Sequence, residues 1–129
     1  MFMLDIDRFK LINDTWGHDV GDDVITQLGN VLAEKFVNNE IVGRFGGDEF
    51  IVFIKGLDDL DKACQQASEI IQSASEKISL PTPSAKVSVS IGITIYHGVE
   101  KNYSEIFKKA DIALYKAKAS KKNRFFVFE

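Results

Sequence analysis

The stretch RFGGDEFIVF, Arg44 to Phe53, restricts the fold more than any other part of this sequence. Glycine reaches positive φ without a Cβ penalty, so Gly46-Gly47 marks a tight turn between two strands. Residues 41–45 lead in and residues 50–54 lead out, which predicts a β-hairpin with Asp48 and Glu49 near its tip. Phe50, Val52 and Ile54 face one way, Ile51 and Phe53 the other. Apolar residues on both faces predict a central strand covered on both sides. A solvated turn needs only one polar residue, and this one carries two adjacent acids on a rigid support. That invites a functional reading, beside which a purely polar hairpin tip stands as the alternative.

The rest of the chain supplies partners for such a hairpin. Met1 to Ile6 is a short apolar run with Asp5 and Asp7 at its end, the pattern of a buried strand. Phe9 to Gly21 reads as irregular, with Asn13-Asp14 and Gly17-His18 as breakers. Asp22 then suits the N-cap of a helix whose Val24, Leu28, Val31, Leu32 and Phe36 recur at helical spacing. A second amphipathic helix runs from Leu60 to Ile78, with Cys64 on its apolar side, and ends before Pro81 and Pro83. Val87 to Tyr96 alternates apolar and small residues as a strand. Ser104 suits the cap of a third helix with Ile106, Ala110, Ala113, Leu114 and Ala117 inward, and residues 124–128 close as a strand. The order β-α-β-β-α-β-α-β contains the split β-α-β-β-α-β unit of ferredoxin-like domains. The predicted fold is therefore α+β, a central antiparallel sheet flanked by helices, with an extra helix and strand.

At 129 residues the chain suits one domain, and 45% hydrophobic with 27% charged residues is ordinary globular composition. No run approaches membrane-spanning length and no basic-then-apolar leader is present, so direct membrane contact is not expected. A single cysteine excludes an internal disulfide and favours a cytoplasmic setting. Net charge is −3, but its placement is uneven. Acids crowd the first quarter (Asp5, Asp7, Asp14, Asp19, Asp22, Asp23), and Lys108, Lys109, Lys116, Lys118, Lys121, Lys122 and Arg124 crowd the last. The broad basic, aromatic-laced face of a nucleic-acid binder is lacking. Acids at one end and lysines at the other suit a metal–polyphosphate ligand, and two solvated helix faces are the bland alternative.

Asp5 ends the first strand and Asp48 tips the hairpin, and in a ferredoxin-like core those strands can lie side by side. Their carboxylates would repel unless a divalent cation joined them, and Mg²⁺ favours one or two carboxylates with waters and phosphates. Lys118 and Lys122, four apart on the third helix, project from one face towards such phosphates. Asn13 and Asp22 offer an amide and an acceptor of the kind that reads a nucleobase edge. Each has a plainer reading: Asp22 as a helix cap, Asn13 as a turn former, the lysines as solvated charges.

The segments LDIDRFKLINDTWGHDVGDDVI, RFGGDEFIVF, VSVSIGIT and KKADIALYKAKASKKNRF together resemble, in order and spacing, the diguanylate cyclase (GGDEF) domain family. Four separated motifs in agreement make the resemblance specific, and it runs over residues 1–129. It implies a palm-type, nucleotidyl-cyclase-like fold and condensation of two GTP molecules into cyclic di-GMP with release of two pyrophosphates. It further implies Mg²⁺ (or Mn²⁺) held by Asp5, Asp48 and the Ile6 carbonyl, with Asp48 and Glu49 catalytic. By the same resemblance Gly46 and Gly47 admit the nucleotide, Asn13 and Asp22 read guanine, and Phe9, Lys10, Lys118 and Lys122 meet phosphates. Turnover would need a homodimer with one GTP on each subunit.

Three departures from the family pattern stand out. Lys121-Lys122-Asn123 replaces Gly-Arg-Asn after the last helix. The product-inhibition motif Arg-x-x-Asp falls on Val37-Asn38-Asn39-Glu40, which lacks its arginine. The family's Asp-x-Leu-Thr-x-Leu-x-Asn-Arg segment and its helix are not in the sequence. The expectation is a domain from a longer protein, fused to a sensor or regulatory region, itself cytoplasmic or the cytoplasmic part of a membrane-anchored protein. A weakly active or inactive GTP-binding module that controls a neighbouring domain is the alternative function.

Overall fold

The computed structural model describes residues 1–38 and 40–128. Nine elements follow one another in these residues: β1 (Phe2–Ile6), α1 (Phe9–Trp16), α2 (His18–Lys35), β2 (Ile41–Gly46), β3 (Glu49–Phe53), α3 (Leu60–Lys77), β4 (Val89–Ile93), α4 (Tyr103–Ala119) and β5 (Phe125–Val127). The strands form one sheet in the order β2-β3-β1-β4-β5. The first four pair antiparallel and β5 joins the edge of β4 in parallel. The ferredoxin-like α+β expectation is borne out, with the extra helix and strand added after the split unit.

Strand β1 sits at the centre and alternates between two cores. Phe2, Leu4 and Ile6 pack with Leu28 and Leu32 of α2 and with Ala67 and Ile70 of α3. Met3 points to the opposite face, against Ala110 and Leu114 of α4. The region 87–96, expected to alternate, is buried throughout β4, Ser90 included. Both faces of that strand are roofed, one by the main core and one by α4. Gly92 makes the second roof possible: a Cβ there would lie 2.9 Å from Leu114 Cα and closer still to the Ala110 carbonyl oxygen.

Several local readings are corrected. Residues 9–21 are helical rather than irregular. Ile12 is buried and Phe9 and Trp16 pack against the core, so burial at i, i+3 and i+7 outweighs the weak propensities of Asn13 and Asp14. The chain breaks only at Gly17, whose φ of 93° suits glycine. Asp22 therefore lies inside α2 and is not its cap. On α4 the cap is Asn102, whose side chain accepts from the Glu105 N–H at 3.1 Å, rather than Ser104. Cys64, expected on the apolar side of its helix, is half-buried just off the stripe of Ala63, Ala67, Ile70 and Ala74.

Strand β3 is interior as predicted, but only its Phe50–Val52 side is sealed. On the other side Ile51 and Phe53 line an open apolar groove of about 470 Å³ with Ile41, Phe45 and Tyr103. Helix α4 roofs β1, β4 and β5 and reaches this half of the sheet only at its edge, where Phe107 packs on Phe45 with ring centroids 4.9 Å apart. No helix of the described residues is long and apolar enough to cross a membrane.

Candidate functional site

One end of the sheet gathers the chemistry. The C-terminal end of β1, the β2–β3 turn, the start of β4, the start of β5 and the C-terminal end of α4 all meet there. Asp5 is the register partner of Glu49 across β1 and β3, which sets Asp48 beside Asp5. The Ile6 N–H donates to the Asp48 carbonyl at 3.4 Å and holds the turn against the strand end. Across the turn Arg44 Nε donates to the Gly47 carbonyl at 2.8 Å, and Gly47 sits at φ 53°, a region that favours glycine. Gly46 and Gly47 have open space above them.

The acids are under electrostatic stress. Burial first, then the neighbouring Asp48 carboxyl, pushes the Asp5 carboxyl up to about 7, and the Lys118 ammonium pulls the other way. Burial, Asp48 and Asp111 likewise raise the Glu49 carboxyl, with Lys118 opposing. Lys118 reaches from α4 to place Nζ 2.6 Å from Asp5 Oδ2. The second oxygen, Asp5 Oδ1, is buried without a hydrogen-bond partner. Nothing in local spacing pairs Asp5 with a lysine 113 positions away, because only the packing of α4 over β1 joins them.

The remaining candidates fall around this centre. Phe9 and Lys10 open α1, whose N-cap Arg8 offers no side-chain cap, so the first-turn N–H groups stay free to meet an anion. Asn13, on α1, lies against Gly21 of α2, where any Cβ would overlap its amide, and Asn13 Oδ1 is buried without a partner. Asp22 follows Gly21 and is exposed. Lys122 departs from expectation. Helix α4 ends at Ala119, so Lys118 and Lys122 do not share a helical face. Lys122 occupies a turn in which Lys121, Lys122 and Asn123 take φ of 138°, 60° and 49°. Its N–H donates to the Ala117 carbonyl at 3.2 Å.

Sequence reading passed over Asp7. This buried carboxylate accepts from Ser88 Oγ at 2.8 Å, Ser90 Oγ at 2.7 Å and the Asn123 N–H at 2.8 Å. It ties β1, β4 and the turn after α4 into one unit. Its proximity to Asp5 and the serines of VSVS were the available signals, and neither specifies a contact with residue 123.

At the degenerate inhibition motif, Val37 is exposed and Glu40 accepts from the Asn38 N–H at 2.9 Å. Asn39 lies outside the described residues. Nearby Lys35 is paired with Glu69 of α3. Among the described residues no three His, Cys, Asp or Glu side chains converge as a metal site. The centre offers two carboxylates and backbone carbonyls instead.

Comparison with known proteins identifies the family and the fold. The family model for the diguanylate cyclase GGDEF domain matches residues 1–124. A probable diguanylate cyclase, DgcC of Escherichia coli K12, is 39% identical over 125 residues, 96% of this chain and 33% of its own length. The signaling protein YkoW of Bacillus subtilis is 36% identical over 97% of this chain and 16% of its own. The chain thus spans a third or less of these relatives. Among solved structures, the active GGEEF domain of a diguanylate cyclase from Vibrio cholerae superposes with a TM-score of 0.89 at 32% identity, covering 99% of this chain and 81% of that one. The GGDEF domain of DgcB from Caulobacter crescentus, solved with c-di-GMP, gives 0.87 at 29% identity, over 98% and 75% of the two chains. The chain belongs to the diguanylate cyclase GGDEF domain family.

Proposed function

We propose that this domain condenses two GTP molecules into cyclic di-GMP and two pyrophosphates, as one half of a homodimer within a longer signalling protein. The observation that carries the reading is the convergence of Asp5, Asp48, Glu49 and Lys118 at one sheet end, in a chain of this family. Asp5 Oδ1, buried and unpartnered beside a second carboxylate, fits a divalent cation. Mg²⁺ or Mn²⁺ would be held by Asp5, Asp48 and the Ile6 carbonyl. When bound it supplies Lewis-acid stabilisation of the α-phosphate and a more acidic 3′-hydroxyl.

In this reading Asn13 and Asp22 hold the guanine edge, and the free first-turn N–H groups at Phe9 and Lys10 bind the terminal phosphates with Lys118 and Lys122. The open backbone at Gly46-Gly47 lets ribose and phosphate approach. Glu49, with its raised proton affinity, takes the 3′-hydroxyl proton as that oxygen attacks the α-phosphorus of the GTP on the facing subunit. The bond from the α-phosphorus to the bridging oxygen breaks and pyrophosphate leaves. A second such transfer closes the ring. One subunit holds one GTP, so the two sites face each other across a two-fold axis.

The alternative, a GTP-binding regulatory module without turnover, rests on Lys121-Lys122 replacing Gly-Arg. Lysine lacks the bidentate fork of arginine. Incubation of the full-length protein with GTP and Mg²⁺, followed by mass spectrometry, separates the two. Wild type should yield cyclic di-GMP, and Asp48→Asn should lose turnover at an unchanged melting temperature. ATP in place of GTP should give no cyclic product. Tight GTP binding with no cyclic di-GMP would favour the regulatory reading.

A further inference from the structure

We propose that Lys118 is a placeholder cation: it occupies the metal's electrostatic position on Asp5 until a metal–nucleotide complex arrives, then transfers to the phosphates. This rests on the metal-site reading above. The carboxyls of Asp5 and Asp48, with Glu49 and Asp111 near them, would repel one another without a cation between them. Among the described residues Lys118 is the cation acting on both Asp5 and Glu49, and its Nζ sits 2.6 Å from Asp5 Oδ2. Its side chain is 27% exposed and that of Asp5 14%, so the pair is only partly screened by water. The ammonium compensates one oxygen of Asp5 and leaves Oδ1 bare.

A Mg²⁺ ion would lie about 2.1 Å from a carboxylate oxygen. With Lys118 still on the same carboxylate, the two cations would stand within a few ångströms of each other. A metal on Oδ1 is therefore repelled by the ammonium on Oδ2, and it binds more readily once Lys118 leaves Asp5. In the absence of nucleotide a departing ammonium exchanges its 2.6 Å contact with Asp5 for the more distant Glu49 carboxyl, and bare metal binds weakly. With a triphosphate present, the released lysine has a partner, so metal and nucleotide bind with positive coupling, each raising the affinity for the other by the same factor. The lysine thereby offsets the repulsion among these carboxylates and keeps the free metal pool from filling the site alone.

The test is Mn²⁺ binding to the folded protein, followed by electron paramagnetic resonance of free Mn²⁺, with and without a non-hydrolysable GTP analogue. Lys118→Met keeps the unbranched apolar stem, one atom shorter, and removes the charge. It should bind bare Mn²⁺ roughly tenfold more tightly than wild type, the scale of one neighbouring partly screened charge. In the same variant the analogue should bind more weakly and the coupling between Mn²⁺ and analogue should shrink. Lys118→Arg keeps the charge and should retain the weak bare-metal affinity, which guards against a folding defect in the methionine variant. Unchanged or weaker bare Mn²⁺ binding in Lys118→Met, or tighter binding in both variants, overturns the placeholder role. Asp5→Asn tells the two levels apart: it should abolish Mn²⁺ binding, and if it does not, the metal-site reading fails together with this one.

Discussion

Replacing Gly92 with alanine should damage this fold more than any other single-methyl addition to the sheet. Gly92 lies on β4 beneath the Ala110–Leu114 turn of α4. A Cβ there would stand 2.9 Å from Leu114 Cα and nearer still to the Ala110 carbonyl oxygen and the Leu114 nitrogen. All three are backbone atoms of one helical turn, so no side-chain rotation relieves the overlap. Ordinary contact begins near 3.4 Å, and the two nearest backbone atoms would require α4 to retreat by about an ångström. Retreat separates Leu114 and Ala110 from Met3, where the second core is built. Overpacking of this kind costs about 1–3 kcal/mol, and the rigidity of the opposing atoms argues for about 3 kcal/mol. That corresponds to a melting temperature lower by roughly 10 °C in a domain of this size. Gly43→Ala on β2 is the control, because a Cβ there meets nothing within 4 Å. Urea unfolding of wild type and both variants measures the difference. A Gly92→Ala protein within about 0.5 kcal/mol of Gly43→Ala would refute the claim that close approach of helix and strand is what this glycine provides.

Lys121 holds φ of 138°, a region that glycine occupies freely, so Lys121→Gly should stabilise the protein by about 1 kcal/mol in the same assay; a loss of stability would show that the lysine makes a compensating contact. Glu100, with a side chain only 2% exposed, is held down to about 2 chiefly by the Lys109 ammonium 2.7 Å away, and next by backbone N–H groups. Its folded-state value lies below the ordinary 4.5, so its contribution to stability is full above pH 4.5 and fades as pH falls towards 2. Wild type should therefore lose stability relative to Glu100→Gln as unfolding is measured from pH 6 down to pH 3, and parallel curves would contradict the pairing. With Val37 exposed and uncharged and Lys35 engaged by Glu69, cyclic di-GMP should not bind tightly outside the GTP site. Isothermal titration showing submicromolar binding that survives loss of the GTP site but disappears in Glu40→Ala would reverse that expectation.

What the sequence determined by itself was local or periodic. The hairpin at Gly46-Gly47, the stripes of α2, α3 and α4 and the apolar strands follow from spacing within a few residues, and all are present. The order of those elements implied the split β-α-β-β-α-β arrangement, and the agreement of four motifs implied the family. Tertiary structure decided the rest. Residues 9–16 became a helix because Ile12, Phe9 and Trp16 found a core to enter, which no local propensity at Asn13-Asp14 announces. That in turn moved Asp22 from a cap into the interior of α2. The small residues of the alternating strand, Ser90 and Gly92, are buried too, Gly92 beneath α4 and Ser90 on Asp7. The most consequential contacts, Lys118 on Asp5 and Asn123 on Asp7, join residues more than a hundred positions apart. Periodicity carries no record of such pairings. They exist because α4 crosses the sheet with its C-terminal end at the end of β1, and only the packed chain fixes where a flexible lysine finds its counter-charge.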